Sequence, residues 1–186
     1  MGPIMTPMTP EDPAGPVRLR AFAEDDLPFL DRLGTDPDML GEFEWPGFTD
    51  PRAQRRRWEK DGYISAEVSA VAVVREDGTV VGLVTWASCG FPAGVAYEIG
   101  VGIAPEHRRQ GFGTAAQDLL VEYLLDHTTA HRIEARTNDT NVGEQKALER
   151  LGFRQEGFMP GRSFLRGKYV GVLVYGLLRE DRRPQT

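Results

Sequence analysis

The chain has 186 residues, 40% apolar and 27% charged, with a net charge of -6. That length suits one α/β domain with a sizeable core and leaves little for a second. The acidic balance argues against a general nucleic-acid binder and is compatible with a cationic partner such as an amine.

Residues 1–16 are rich in Pro, Met and Gly and lack both a basic n-region and an apolar stretch, so they read as a flexible tail and not a signal peptide. Alternating apolar and charged residues at 17–22 predict a strand. Glu24, Asp25 and Asp26 stand before Leu27, Phe29, Leu30 and Leu33, and carboxylates in a first turn favour a helix N-terminus. Gly34 and Pro37 close that helix, and 36–45 follows as a short helix or irregular piece. Pro51 opens a helix over 51–60, with Arg55, Arg56 and Arg57 expected on a solvated face. Residues 68–75 and 79–88 predict strands joined by the hairpin turn Glu76-Asp77-Gly78. A third strand at 95–103 contains Gly100 and Gly102, which suggest a bulge or a close backbone approach. Cys89, the only cysteine, excludes an intrachain disulfide and fits a reducing, cytoplasmic setting. A lone cysteine is usually a small buried hydrophobe.

Residues 113–126 predict a helix with Ala115, Leu119, Leu120, Tyr123 and Leu124 on its apolar stripe. A strand at 131–137, a helix at 141–150 ended by Gly152, and strands at 153–159 and 169–178 complete the domain. Residues from 179 onward read as polar, which bounds a single domain at 17–180 with a C-terminal tail at 181–186. No apolar run reaches the length of a membrane span. The order β-α-α-β-β-β-α-β-α-β-β implies a mixed α/β (α+β) sheet, not a fully parallel one. His107, His127 and His131 have no metal-ligand spacing.

Arg108-Arg109-Gln110-Gly111-Phe112-Gly113-Thr114 lies between a strand and a helix. The first turn of a helix offers free N–H groups and a partial positive charge, so an anion such as a pyrophosphate can sit there. Glycines let it approach the backbone, and Arg108 and Arg109 can add charge-assisted hydrogen bonds. Gly111-x-Gly113-x-x-Ala116 also fits a dinucleotide fingerprint. In that motif the glycines follow a strand directly, whereas here the charged loop 105–110 intervenes and no acidic residue ends the next strand.

Arg108-x-x-Gly111-x-Gly113 resembles the pyrophosphate signature of the GNAT acetyltransferases. Tyr97-Glu98-Ile99-Gly100 resembles that family's fourth strand, and Asn141…Leu148-Glu149-Arg150-Leu151-Gly152-Phe153 its second conserved block. Within the family the chain is most similar to the RimJ/RimL-like branch. The resemblance implies a mostly antiparallel sheet flanked by helices, with its fourth strand bulged and splayed from the fifth. It implies acetyl-CoA (coenzyme A) as cofactor, with no metal. Arg108, Arg109, Gln110, Gly111, Phe112, Gly113 and Thr114 would hold the pyrophosphate. The backbone near Val101 and Ile103 would pair with the pantetheine arm, and Asn141 would contact the cofactor near its pantetheine or thiol end.

Glu98 sits where many relatives place a general base. A lysine-like amine is neutral in roughly one molecule in a few thousand at pH 7, and only the neutral form attacks a thioester. A carboxylate that takes the proton therefore contributes about 10²–10⁴-fold. Three departures stand out: Leu148 where many relatives have a tyrosine acid, Glu144 where RimJ/RimL-like proteins often have serine, and Gly171 where they often have Asp. Glu144 can bind the amine, act as acid or base, or face solvent. Phe43, Trp45 and Phe48, with Glu42 and Glu44, lie where the family builds acceptor pockets.

The expected reaction is acetyl transfer to a primary amine of a small molecule by direct attack in a ternary complex, by a monomer or homodimer. A protein N-terminus as acceptor, or a non-catalytic acyl-CoA-binding regulator, are the alternatives.

Overall fold

The computed structural model describes residues 16–39, 41, 43 and 47–182. The expected N-terminal tail, except Pro16, and Glu42, Glu44 and Trp45 lie outside the described residues. In chain order the elements are β1 (Val17–Arg20), α1 (Leu27–Thr35), α2 (Ala53–Asp61), β2 (Ser69–Arg75), β3 (Val80–Ser88), β4 (Ala96–Ile103), α3 (Phe112–His127), β5 (Arg132–Asn138), α4 (Val142–Arg150), β6 (Arg154–Leu165) and β7 (Lys168–Leu178). The seven strands form one sheet in the order β1-β2-β3-β4-β5-β7-β6. Only β4 and β5 run parallel. This is the mixed, mostly antiparallel sheet expected, and no described helix is long and apolar enough to cross a membrane.

Strand residues alternate between two cores, as a period of two requires. Val73, Val84, Ile99, Ile133 and Ala135 pack against α3, with Leu148 of α4 and Leu151 just after it. Ala70, Ala72 and Val74 face the other way, onto Leu27 and Leu30 of α1 and Tyr63 after α2. The helix N-terminus predicted at α1 is held by Asp26, which is buried. Its carboxylate accepts from the Ala23 N–H at 2.8 Å and from Arg20 Nη2 at 3.0 Å. Hydrogen bonding from Arg20 is the main reason its carboxyl titrates below the usual range, against the opposing effect of burial.

The wedge that positions the site opens between β4 and β5. They pair only from Ala96↔Arg132 to Ile99↔Ala135. Beyond that point β4 stays on β3 to Ile103, and β5 stays on β7 to Asn138. Each strand is held by its outer neighbour, so the gap between them is fixed from both sides. The bulge expected in β4 is absent from its pairing with β3, which runs unbroken from Gly82↔Ile103 to Ser88↔Tyr97. Gly100 answers to close approach instead: a Cβ there would meet Thr85 Oγ1 at 2.8 Å.

Four further expectations are corrected. The buried stripe of α3 is Phe112, Ala116, Gln117, Leu120, Val121, Leu124 and Leu125, whereas Leu119 and Tyr123 face outward. Strand β6 does not end near Met159. It continues through a bulge to Leu165 and turns at Arg166-Gly167, both at positive φ as a two-residue hairpin turn needs. The segment after 178 is tied down as far as Arg182. Arg179 donates to the carbonyls of Ala130, Leu125 and Thr128, and Arg182 donates to Glu122 and Asp118. Of the three α2 arginines, Arg57 is not simply solvated, since it lies 4.4 Å above the Tyr63 ring and donates to Val68 O.

Candidate active site

Gly111 caps α3 in the left-handed conformation at φ 82°, and no side chain caps the helix. The N–H groups of its first turn are therefore left to solvent or an anion. Phe112 points its ring into the core and offers only backbone. A Cβ at Gly113 would stand 3.5 Å from Ile103 and 3.9 Å from Val101, ordinary contact distance, so the first turn of α3 lies close against the end of β4. Thr114 is half-buried in the same turn, and Arg109 and Gln110 are exposed beside it. Arg109 is held at φ 58°, and Gln110 Nε2 donates to Glu106 O at 3.3 Å. An uncapped helix N-terminus close beside the stretch of β4 that β5 leaves unpaired fits the pyrophosphate and pantetheine of coenzyme A.

Arg108 behaves otherwise than its motif suggests. Its Nε donates to Ile103 O at 2.8 Å, and its Nη2 donates to Asp38 O at 2.8 Å and Met39 O at 2.9 Å. Three of the five guanidinium donors thus tie the end of β4 to the segment after α1. The structure gives this arginine a clamp where the sequence suggested a phosphate contact.

A recess fills the wedge on the α3 side, lined by Val101, Gly100, Asn141 and Glu144 together with Arg136, Thr137 and Asn138. Asn141 caps α4, its Oδ1 accepting from Glu144 N at 3.3 Å. Glu144 is also reached at 3.5 Å by Nε2 of the buried Gln117, which donates to Gly113 O as well. Asn141 and Glu144 are thus brought together at the wedge and coupled to the first turn of α3. Phe43 lines the same recess, whereas Phe48 is largely exposed.

Glu98 faces the opposite side of the sheet. It borders a second cavity of about 230 Å³ shared with Arg136, Asn138, Met159, Arg162 and Ser163. Glu98 is register partner to Glu134, which would set two carboxylates side by side. Each has its own arginine: Arg132 Nε reaches Glu134 at 2.8 Å, and Arg136 Nη1 reaches Glu98 at 3.3 Å. Arg136, Thr137 and Asn138 line both cavities, so the end of β5 is their common wall. The sequence reading missed Arg136, Asn138 and Arg162. The two-residue alternation of Arg132, Glu134, Arg136 and Asn138 along β5 would have put them on the Glu98 face. Nothing local to Arg162 marked it.

The departures find structural reasons. Leu148 is fully buried in the α3 core, so no proton donor stands there. At Gly171 a Cβ would collide with the Phe158 ring at 2.1 Å and Asp139 Oδ2 at 2.6 Å. Asp139 bonds both backbone groups of Gly171, so a carboxylate reaches this spot from the turn after β5 instead of from β7. Cys89 is exposed rather than buried. Its thiol titrates above the usual range, chiefly from partial burial and then from Glu134 and Glu98. It is thus mostly protonated and weakly nucleophilic at neutral pH.

Residues 17–154 match the family model described as an acetyltransferase (GNAT) domain. The chain is 26% identical over 170 residues to the uncharacterized N-acetyltransferase p20 of Bacillus licheniformis, covering 88% of this chain and 93% of that protein. In fold it is similar to spermidine N-acetyltransferase from Vibrio cholerae, solved with CoA and spermine (TM-score 0.78, 21% identity, 89% and 96% of the two chains covered). It is also similar to a GNAT-family acetyltransferase from Bacillus anthracis (TM-score 0.75, 19% identity, 88% and 95% covered). The match over 17–154, together with the β4–β5 wedge and the glycine-capped α3, shows that the chain belongs to the GNAT acetyltransferases, N-acetyltransferases whose acyl donor is acetyl-CoA.

Proposed function

We propose that this enzyme acetylates the primary amine of a small molecule, by direct attack in a ternary complex, and that it sits in the RimJ/RimL-like branch. The reading rests on one observation above all: the end of β5 walls both the recess beside Val101 and Asn141 and the cavity beside Glu98. A thioester threaded along one side of the wedge meets an amine entering from the other. Bound acetyl-CoA supplies an acyl group activated as a thioester.

The first turn of α3, with Arg109, Gln110, Gly111, Gly113, Thr114 and the Phe112 backbone, holds the pyrophosphate. The unpaired edge of β4 at Val101 and Ile103 takes the pantetheine as an added strand. Asn141 orients the thiol end, Glu144 sits beside it, and Glu98 accepts the amine proton as general base. Arg108 acts by holding the end of β4 in place. Cys89, exposed and mostly protonated, fits direct attack better than a covalent acetyl-enzyme.

The similarity in fold to a protein solved with spermine supports a small amine as acceptor. The test is thiol release from acetyl-CoA with a panel of primary amines and, separately, short peptides with free N-termini. Release with amines is expected. Release with peptides alone would move the acceptor to protein N-termini, and CoA binding without any release would defeat the reading.

A further inference from the structure

Strand β6 departs from its register with β7 between Met159 and Ser163. Their partners are Val172 and Val170, so Pro160, Gly161 and Arg162 stand opposite Gly171 alone. Gly161 takes φ 62° in this bulge. A bulge of this kind bends its strand and re-aims a side chain, and here Arg162 lines the Glu98 cavity. Among the described residues Arg162 makes no hydrogen bond or ion pair. Arg136, the other guanidinium in that wall, is joined to Glu98. The described lining thus carries two guanidiniums against one carboxylate in an otherwise acidic protein. A cavity shaped for a polycation would show the reverse balance, because like charges in a partly desolvated site repel.

We infer that the acceptor carries an oxyanion, most simply a carboxylate, besides its amine, and that Arg162 is the residue that selects it. The inference rests on the acetyl-transfer reading and names its substrate class. The amine lies toward Glu98, and the carboxylate is taken at the β6 bulge, where a guanidinium can bind it through paired N–H donors. Small amino acids and ω-amino carboxylates have this chemistry, and diamines and polyamines do not.

The experiment uses acceptors of equal chain length with and without the anion: glycine, β-alanine and 4-aminobutyrate against their carboxamides, with rates compared per neutral amine because the amide also lowers the amine pKa, and with spermidine as a third arm. Thiol release gives kcat/KM for the wild type, Arg162→Gln and Arg162→Glu. The wild type should prefer at least one carboxylate over its amide by about tenfold to a hundredfold, the usual worth of a charged hydrogen-bond pair. Arg162→Gln should erase that ratio, and Arg162→Glu should turn it toward the amide and spermidine, with the KM for acetyl-CoA unchanged in both. Overturning results are equal rates for every pair in the wild type, a ratio that survives Arg162→Gln, or a KM for acetyl-CoA that moves with the substitution. Absence of thiol release from every amine would defeat the acetyl-transfer reading separately. Calorimetry of the same pairs on CoA-loaded protein then decides the anion preference: tighter carboxylate binding lost in Arg162→Gln supports it, and equal affinities overturn it.

Discussion

On the α3 side of the β4–β5 wedge, the groups offered to a ligand are mainly main-chain: the uncapped N–H groups after Gly111 and the edge of β4 past Ile99. On the Glu98 side they are side chains, brought together from β4, β5 and a bulge in β6. The first kind of site depends on backbone conformation and tolerates many changes of side chain. The second kind depends on side-chain identity and changes freely between relatives that share the fold. A common donor with variable acceptors is what such a division would allow.

The largest effect should come from the side-chain half. Glu98→Gln keeps size and hydrogen bonding but cannot accept a proton at neutral pH. Its rate should fall about 10²–10⁴-fold at neutral pH. The loss should shrink as pH rises and be smaller for an α-amine than for a lysine-like one, because more of the acceptor then arrives deprotonated. Rates equal to wild type across the pH range would remove Glu98 as base, and Glu144 would become the carboxylate to test.

The backbone half breaks differently. Gly111→Val places a β-branched residue at φ 82°, a strain of about 1–3 kcal/mol. Calorimetry should show coenzyme A affinity falling about tenfold or more, with the amine KM little changed. Arg108→Ala sharpens the contrast, because that side chain is bonded to protein carbonyls. It should cost about 1–3 kcal/mol of stability, a drop of roughly 2–4 °C in Tm per kcal/mol for a domain of this size. CoA affinity should stay within about threefold of wild type. A large loss of affinity at unchanged Tm would return Arg108 to the phosphate.

The same division explains what was legible in the sequence. Gly111 and Gly113 lie two residues apart, at a strand-to-helix junction that the apolar pattern already marks, so the backbone site leaves a local motif. The hairpins, the crossover helix and the wedge followed from patterning and family resemblance. Arg108 ends elsewhere than its motif suggests, because a motif fixes where a long side chain starts and not where it ends. Its partners, Asp38 and Met39, lie some 70 residues away in the chain. The acceptor cavity was invisible for the same reason, since Glu98, Arg136 and Arg162 meet only through strand order and the β6 bulge. Pro160-Gly161, which reads as the end of a strand, conceals that bulge. The α3 stripe was right at Leu120 and Leu124 and wrong at Leu119 and Tyr123, which are apolar yet exposed.

The account turns on the wedge joining the two halves, and a crystal structure of the protein with coenzyme A and a carboxylate-bearing amine tests this most directly. It predicts the pyrophosphate on the first turn of α3, the pantetheine along β4 at Val101, the thiol at the β4–β5 opening, and the amine within hydrogen-bond reach of Glu98. Coenzyme A bound elsewhere, or an amine seated away from Glu98 with the wedge closed between them, would contradict it.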